Sequence, residues 1–272
     1  MVDKKNLENL LKFLNFIRKG SIYSKHYEDL NCDMKVDIKN EELIFPEAIE
    51  GRERNNGFDK PENIVVFECV DRLMTKGYRP EHIELEKEWH LGHDTKGGRA
   101  DICVYDEKHE SMLFIIECKT YGKEYKKAYD ETVADGGQLF SYWQQEGSTK
   151  WLALYASAFN GKNIQRNCPV ISCTDDPNIL QLAKKDDSVR TYLSAHTAPE
   201  KHTVWKETYS GREYEDIILS DDTVAYKIGV KPLYKCDLKD FSPEDKIVNR
   251  FEEILRHNNV SDKENAFNRL IG

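Results

Sequence analysis

Apolar residues recur early in the chain at helical spacing. Leu7, Leu10, Leu11, Leu14 and Ile17 predict an amphipathic helix that opens the chain and ends near Gly20. A mixed stretch follows, in which Met34 to Ile38 and Leu43 to Pro46 predict one or two strands, and the charged run from Gly51 to Gly57 reads as a linker or loop. Pro61 suits the first turn of a second helix. Ile64, Val65, Phe67, Val70, Leu73 and Met74 give that helix its apolar face, and Gly77 ends it. The period then changes from helical to alternating: Ile83 to Trp89 reads as a half-exposed strand, and two apolar runs, Ile102 to Tyr105 and Leu113 to Cys118, flank the polar turn Asp106 to Ser111. A helical region from about Tyr125 to Gln145, interrupted at Gly136-Gly137, precedes the buried strand Trp151 to Ala156. Helix, three strands, helix, strand predicts an α/β fold with a mixed central β-sheet flanked by helices.

The two runs around the turn predict a hairpin whose register gives the polar residues a common place. With symmetry about His109, Asp101 lies opposite Glu117 and Tyr105 opposite Leu113. Directly opposed residues project to one face, with Cβ atoms about 4.5–5.5 Å apart. Lys119 follows Glu117 by two positions and shares that face. Ile102, Val104, Phe114, Ile116 and Cys118 occupy the other face, an apolar set suited to packing on helices. A slip of one residue would bury the carboxylates and expose the core, so the pattern selects this pairing.

Two carboxylates and an ammonium at one end of a sheet suit metal-assisted phosphodiester hydrolysis. The reaction requires a hard cation to neutralise developing charge and to lower the pKa of bound water. Mg²⁺ meets that need with one or two carboxylates plus waters and phosphate oxygens. Asp101 and Glu117 are the expected metal ligands, with the Cys118 backbone carbonyl as a further one and Mn²⁺ as an alternative ion. Lys119 would orient or deprotonate the attacking water, or stabilise the charge that develops. Other acidic-x-lysine triplets occur, those at Asp3, Asp37 and Asp237 among them, but only the one at Glu117 closes a buried strand beside a partnering aspartate.

The motifs Pro61-Glu62, Gly98-Arg99-Ala100-Asp101, Ile116-Glu117-Cys118-Lys119 and Gln138 to Tyr142 occur in that order. Together they resemble the PD-(D/E)xK nuclease superfamily, and specifically the amino-terminal nuclease domain of type I restriction-enzyme R subunits or of a fused restriction-modification enzyme. Ala100 stands where the superfamily name has proline. The resemblance covers roughly Phe58 to Phe159. It implies a restriction-endonuclease-like core, a Mg²⁺-dependent DNA endonuclease activity, and a metal site to which Glu62, or Glu68 from the same helix, contributes. It also places Gln138 and Tyr142, four apart and so on one helix face, beside the catalytic centre, where with Arg99 they would position DNA. The implied organisation is an N-terminal helix and accessory segment (1–57), a nuclease core (58–200), an accessory segment (201–240) and a helical connector (241–272) to a downstream domain. The run from Phe251 to Asn268 resembles the helical segment that precedes N6-adenine methyltransferase domains in single-chain restriction-modification enzymes.

Composition sets limits on this reading. No apolar run reaches membrane-spanning length, and no signal peptide precedes the opening helix, so a cytoplasmic protein is expected. The 7 cysteines are scattered without paired metal spacing and read as reduced thiols. His90, His93 and His109 lack helix-type spacing and cysteine partners, so zinc is not expected. A net charge of −9 opposes non-specific attraction to a polyanion. Basic residues are nevertheless local to the predicted site: Lys96 and Arg99 before the aspartate, and Lys119, Lys123, Lys126 and Lys127 after the strand. Double-stranded DNA would be bound weakly by this chain alone, with recognition left to a specificity domain or subunit. No phosphate loop of the G-x-x-x-x-G-K-[ST] kind is present, so ATP-driven translocation would belong to a separate motor, and no Asn/Asp-Pro-Pro-Tyr element of an adenine methyltransferase occurs. Two further readings remain: a catalytically silent nuclease-like DNA-binding or assembly module, and an enzyme acting on RNA or branched DNA.

Beyond Phe159 the pattern is weaker. Val170 to Cys173, Asp216 to Ser220 and Thr223 to Ile228 predict strands, Asn178 to Lys185 a helix, and Ser242-Pro243 the start of the terminal helix.

Overall fold

The computed structural model describes residues 6–54, 56–91, 95–106 and 111–215. The strands expected at Asp216–Ser220 and Thr223–Ile228, the connector 241–272 and residues His93 and His109 lie outside the described residues, as does the side chain of His90.

The first helix, α1 (Leu7–Phe13), buries Leu7, Leu10 and Leu11 as the spacing predicts, but it stops well short of Gly20. Asn15 takes a left-handed φ of 66°, which asparagine tolerates better than most residues and which ends the helix. Ile17 therefore does not complete the helical stripe. It lies 67% exposed in β1 (Ile17–Lys19). That strand begins an antiparallel meander with β2 (Ile22–Tyr27), β3 (Cys32–Asp37) and β4 (Glu42–Ile44), two strands more than the apolar pattern marks.

Helix α2 (Pro61–Thr75) begins at a proline and is followed by Gly77 at φ 95°. It is buried on nearly every side because it lies between two sheets. Phe16 and Phe45 of the N-terminal segment contact Phe67, and Asp71 accepts hydrogen bonds from Lys25 and Tyr27 of β2. Ile64, Val70 and Leu73 join one core with Phe114, Ile116 and Tyr155 of the second sheet. Tyr23, Met34 and Leu43 belong to that same core, so the segment before residue 58 is packed onto the rest through α2.

The second sheet contains β5 (Ile83–Leu91), β6 (Thr95–Tyr105), β7 (Met112–Cys118) and β8 (Trp151–Phe159). β5, β6 and β7 are antiparallel neighbours, and β8 is parallel to β7. The crossover to β8 runs through α3 (Lys123–Asp135) and α4 (Gly137–Gln145), which break at Gly136 and Gly137, both at positive φ. β9 (Ile164–Asn167) and β10 (Pro169–Ser172) pair with the two halves of β8. After α5 (Pro177–Ala183), α6 (Ala198–Glu207) packs Val204 and Trp205 against Phe140 and Ile115, and β11 (Tyr214–Glu215) closes on β10. Residues 200 and 201, where an accessory segment was expected to begin, are thus consecutive positions within one helix. The architecture is mixed α/β, with two sheets, one of them mixed, flanked by helices.

The hairpin register agrees with the sequence up to one point. Ile102 pairs with Ile116 and Val104 with Phe114, which places Asp101 across from Glu117. Beyond Val104 a bulge intervenes, so Tyr105 pairs with Met112 rather than with Leu113. The extra residue turns Met112 toward α4 and α6 and Leu113 toward α2. Ile102, Val104, Phe114, Ile116 and Cys118 form the predicted apolar face against α2.

Candidate active site

Four elements converge at the end of β7. The strand supplies Glu117 and Cys118 and is followed by Lys119, whose N–H donates to the Tyr155 carbonyl at 2.8 Å and extends the β7–β8 pairing. Neighbouring β6 supplies Asp101. The backbone N–H of Cys118 donates to Asp101 Oδ2 at 2.6 Å, which locks that carboxylate to the strand carrying Glu117. Lys119 Nζ lies 2.5 Å from Glu117 Oε1 and 3.2 Å from Glu62 Oε1, in the first turn of α2. The Glu117 side chain is only 4% exposed, while that of Glu62 is 37% exposed at the rim.

The electrostatics follow from this crowding. Burial, then the Glu117 charge, pushes the Asp101 carboxyl well above the usual carboxylate range, although Lys119 and the Cys118 N–H oppose the shift. Burial also raises Glu117, against the pull of Lys119 and Tyr142. For Lys119, burial disfavours the charged form, but Glu117, Asp101 and Glu62 outweigh it, so the ammonium is held above its ordinary pKa.

The second carboxylate oxygen of Glu117, Oε2, is buried with no hydrogen-bond partner. A buried acceptor left unpaired costs about 1–3 kcal/mol, more when charged. Beside Asp101 it forms a pair of carboxylates that repel each other and that a divalent cation would satisfy. This donor set fits Mg²⁺, which takes one or two carboxylates and completes its shell with water. Among the described residues no group of three or more His, Cys, Asp and Glu side chains is gathered as a metal cage, so the fit is to a two-carboxylate site. The contact that Cys118 makes here is through its N–H and Asp101.

Glu68 is placed elsewhere. It is fully buried and bound by Tyr155 Oη at 2.7 Å and by Arg166 Nη2 at 2.6 Å. Of the two α2 glutamates, Glu62 is the one beside Lys119.

Gln138 and Tyr142 share a face of α4, and Gln138 Nε2 donates to Tyr142 Oη at 3.1 Å. Tyr142 Oη donates in turn to the Arg99 carbonyl at 2.7 Å, which pins β6 two residues before Asp101. Arg99 itself is engaged by carboxylates of β5: its Nε lies 2.6 Å from Glu86 and its Nη1 3.9 Å from Glu88. Lys123, Lys126 and Lys127 lie exposed on α3.

The roles of three residues escaped the sequence reading. Trp89 stacks on Tyr142, with centroids 5.5 Å apart. Gly98 is required because a Cβ there would lie 2.4 Å from the Tyr142 ring. Glu86 is buried at a left-handed φ of 54° and pairs with Arg99. Only Gly98 had a signal, as the glycine that opens the Gly-Arg-Ala-Asp motif. A scan against protein-family models found no match for this chain, and a search of curated proteins found none either.

Proposed function

We propose that the chain carries a Mg²⁺-dependent DNA endonuclease centre with a restriction-endonuclease-like core, of the PD-(D/E)xK kind found in type I restriction R subunits. The observation that carries this reading is the opposed pair Asp101 and Glu117, with a buried oxygen of Glu117 left unpaired and Lys119 two positions further on. Supporting it is the succession α2, β5, β6, β7, α3–α4, β8, with β8 parallel to β7, which brings the residues of all four motifs together.

Asp101 and Glu117 would hold the ion. When bound, Mg²⁺ would supply charge neutralisation at the scissile phosphate and a more acidic water. Lys119, kept protonated by three carboxylates, is suited to orienting that water and stabilising charge on the phosphate oxygens rather than to removing a proton. Glu62 also holds the Lys119 ammonium, at 3.2 Å. Tyr142 and Gln138 are positioning residues, since they fix the β6 backbone that presents Asp101.

The substrate would be double-stranded DNA, delivered by specificity and motor or methyltransferase parts that answer the net charge of −9. A silent nuclease-like module is the second reading, favoured by the Lys119 ammonium already bridging Glu62 and Glu117. Isothermal titration with Mn²⁺ separates the two. The catalytic reading expects one site in the native chain that is lost in Asp101→Asn and Glu117→Gln. An absence of binding, or equal binding in all three proteins, contradicts it.

A further inference from the structure

At the start of β8, away from Glu117, lies a cavity of about 300 Å³. Trp151, the first residue of β8, borders it and pairs with Phe114, three positions before Glu117. At roughly 3.3 Å per residue that is about 10 Å along the strand. None of the cavity's lining residues belongs to the metal cluster.

The walls are aromatic. Tyr192 and Tyr209 stack at 4.9 Å and 13°, Trp151 and Tyr214 meet edge to face at 5.5 Å, and Trp205 joins the lining. The carboxylates in the lining already have donors. Asp175 accepts from Tyr209 Oη, Tyr192 N and Leu193 N, and Asp176 caps α5 through Asn178 N. The cations in the lining do not have acceptors of that kind. Lys150 and Arg212 are both exposed and, among the described residues, neither makes a salt bridge; Arg212 lies over the Tyr214 ring at 4.6 Å. A cavity of this size, lined by aromatic rings, by acids that already accept hydrogen bonds and by two exposed cations without a salt bridge among the described residues, suits a flat, anionic ligand.

We propose that this cavity binds a nucleotide, with the base against the aromatic walls and the phosphate on Arg212 and Lys150. The nucleotide is either free or an unstacked residue of a nucleic-acid strand, and both present the same base and phosphate to the site. The proposal stands apart from the metal centre and survives its loss.

Trp151 and Trp205 line the cavity, so intrinsic tryptophan fluorescence reports occupancy in the full chain. Deoxynucleoside 5′-monophosphates form one titration, and a duplex carrying a single unpaired base forms another, each with deoxyribose 5-phosphate or a fully paired duplex as control. Binding should weaken about tenfold or more in Arg212→Ala and in Tyr214→Ala, as expected for loss of a stacking face or a phosphate contact. It should be unchanged in Lys119→Ala, and a circular dichroism melt confirms that each variant is folded. Quenching by mononucleotides identifies a free nucleotide as the ligand, and quenching by the unpaired-base duplex alone identifies a strand residue. No quenching by either, equal binding of deoxyribose 5-phosphate, or indifference to both Arg212→Ala and Tyr214→Ala overturns the proposal.

Discussion

Lys119 meets Glu117 at 2.5 Å, and that contact uses one oxygen of the carboxylate while leaving Oε2 buried without a hydrogen-bond partner. With Asp101 directly across the hairpin, two carboxylates repel each other beside one ammonium. Relieving such a repulsion should stabilise the fold, and under the proposed function it should do so at the expense of activity.

Asp101→Asn keeps an acceptor for the Cys118 N–H and removes one negative charge. Without metal, its melting temperature should exceed that of the native chain, by a few degrees for about 1 kcal/mol relieved. Stabilisation by Mn²⁺ should vanish, and cleavage should fall on the order of 10³-fold or more, as expected when several kcal/mol of metal-assisted charge stabilisation are lost. A lower melting temperature together with retained Mn²⁺ stabilisation would contradict the assignment.

The raised carboxyls also set a pH dependence. Between the ordinary carboxylate range and their raised values, Asp101 and Glu117 keep protons in the folded chain that the unfolded chain has released. Their contribution to metal-free stability is therefore present at low pH and lost as pH rises through the raised values. Metal binding must displace those protons, so Mn²⁺ affinity should strengthen over the same interval. Melting curves in EDTA and in Mn²⁺ across pH 4–9 measure both trends, and Asp101→Asn should flatten each.

Gly98→Ala tests the positioning role of Tyr142. The added methyl would lie 2.4 Å from the ring, so the ring or strand must move. Overpacking of this kind costs about 1–3 kcal/mol. Displacing Tyr142 releases the Arg99 carbonyl two residues before Asp101, so cleavage should fall further than the melting temperature alone explains. Tyr142→Phe, which removes only the hydroxyl, should lower the cleavage rate with a smaller loss of stability.

Much of this centre was legible in the sequence because it rests on strand alternation. Asp101, Glu117 and Lys119 share a face by period and register alone, and the apolar residues of the other face leave one pairing open. Contacts between distant elements are different. Nothing local distinguishes Glu62 from Glu68 on α2; their separation arises because Arg166, on β9, reaches one and Lys119 the other. The meander before α2 was only half visible. Ile22-Tyr23-Ser24-Lys25-His26-Tyr27 buries chiefly its two tyrosines, and Lys25 reads as solvated although it binds Asp71 at 2.6 Å. Residues 198–207 likewise look polar, yet α6 is held by a capping box at Thr197 and Glu200 and by the buried Trp205.

That division between the two glutamates is itself testable. Glu68→Ala removes the buried carboxylate that Arg166 and Tyr155 both bind and should cost about 3 kcal/mol in a denaturant melt, near the lower end for breaking a buried pair, while Mn²⁺ binding by the folded fraction persists. Glu62→Gln, at the rim, should leave stability nearly unchanged and slow cleavage by loosening Lys119. The reverse pattern would place the wrong glutamate at the site.

The most direct measurement is cleavage of supercoiled plasmid by the purified chain in Mg²⁺ or Mn²⁺, beside EDTA and beside Lys119→Ala. A metal-dependent endonuclease centre predicts nicking by the native chain with either ion, none in EDTA, and none by Lys119→Ala even though that variant still binds Mn²⁺. Nicking of equal rate in the variant, or no nicking by a native chain that binds Mn²⁺, would contradict the assignment of this cluster as an active centre.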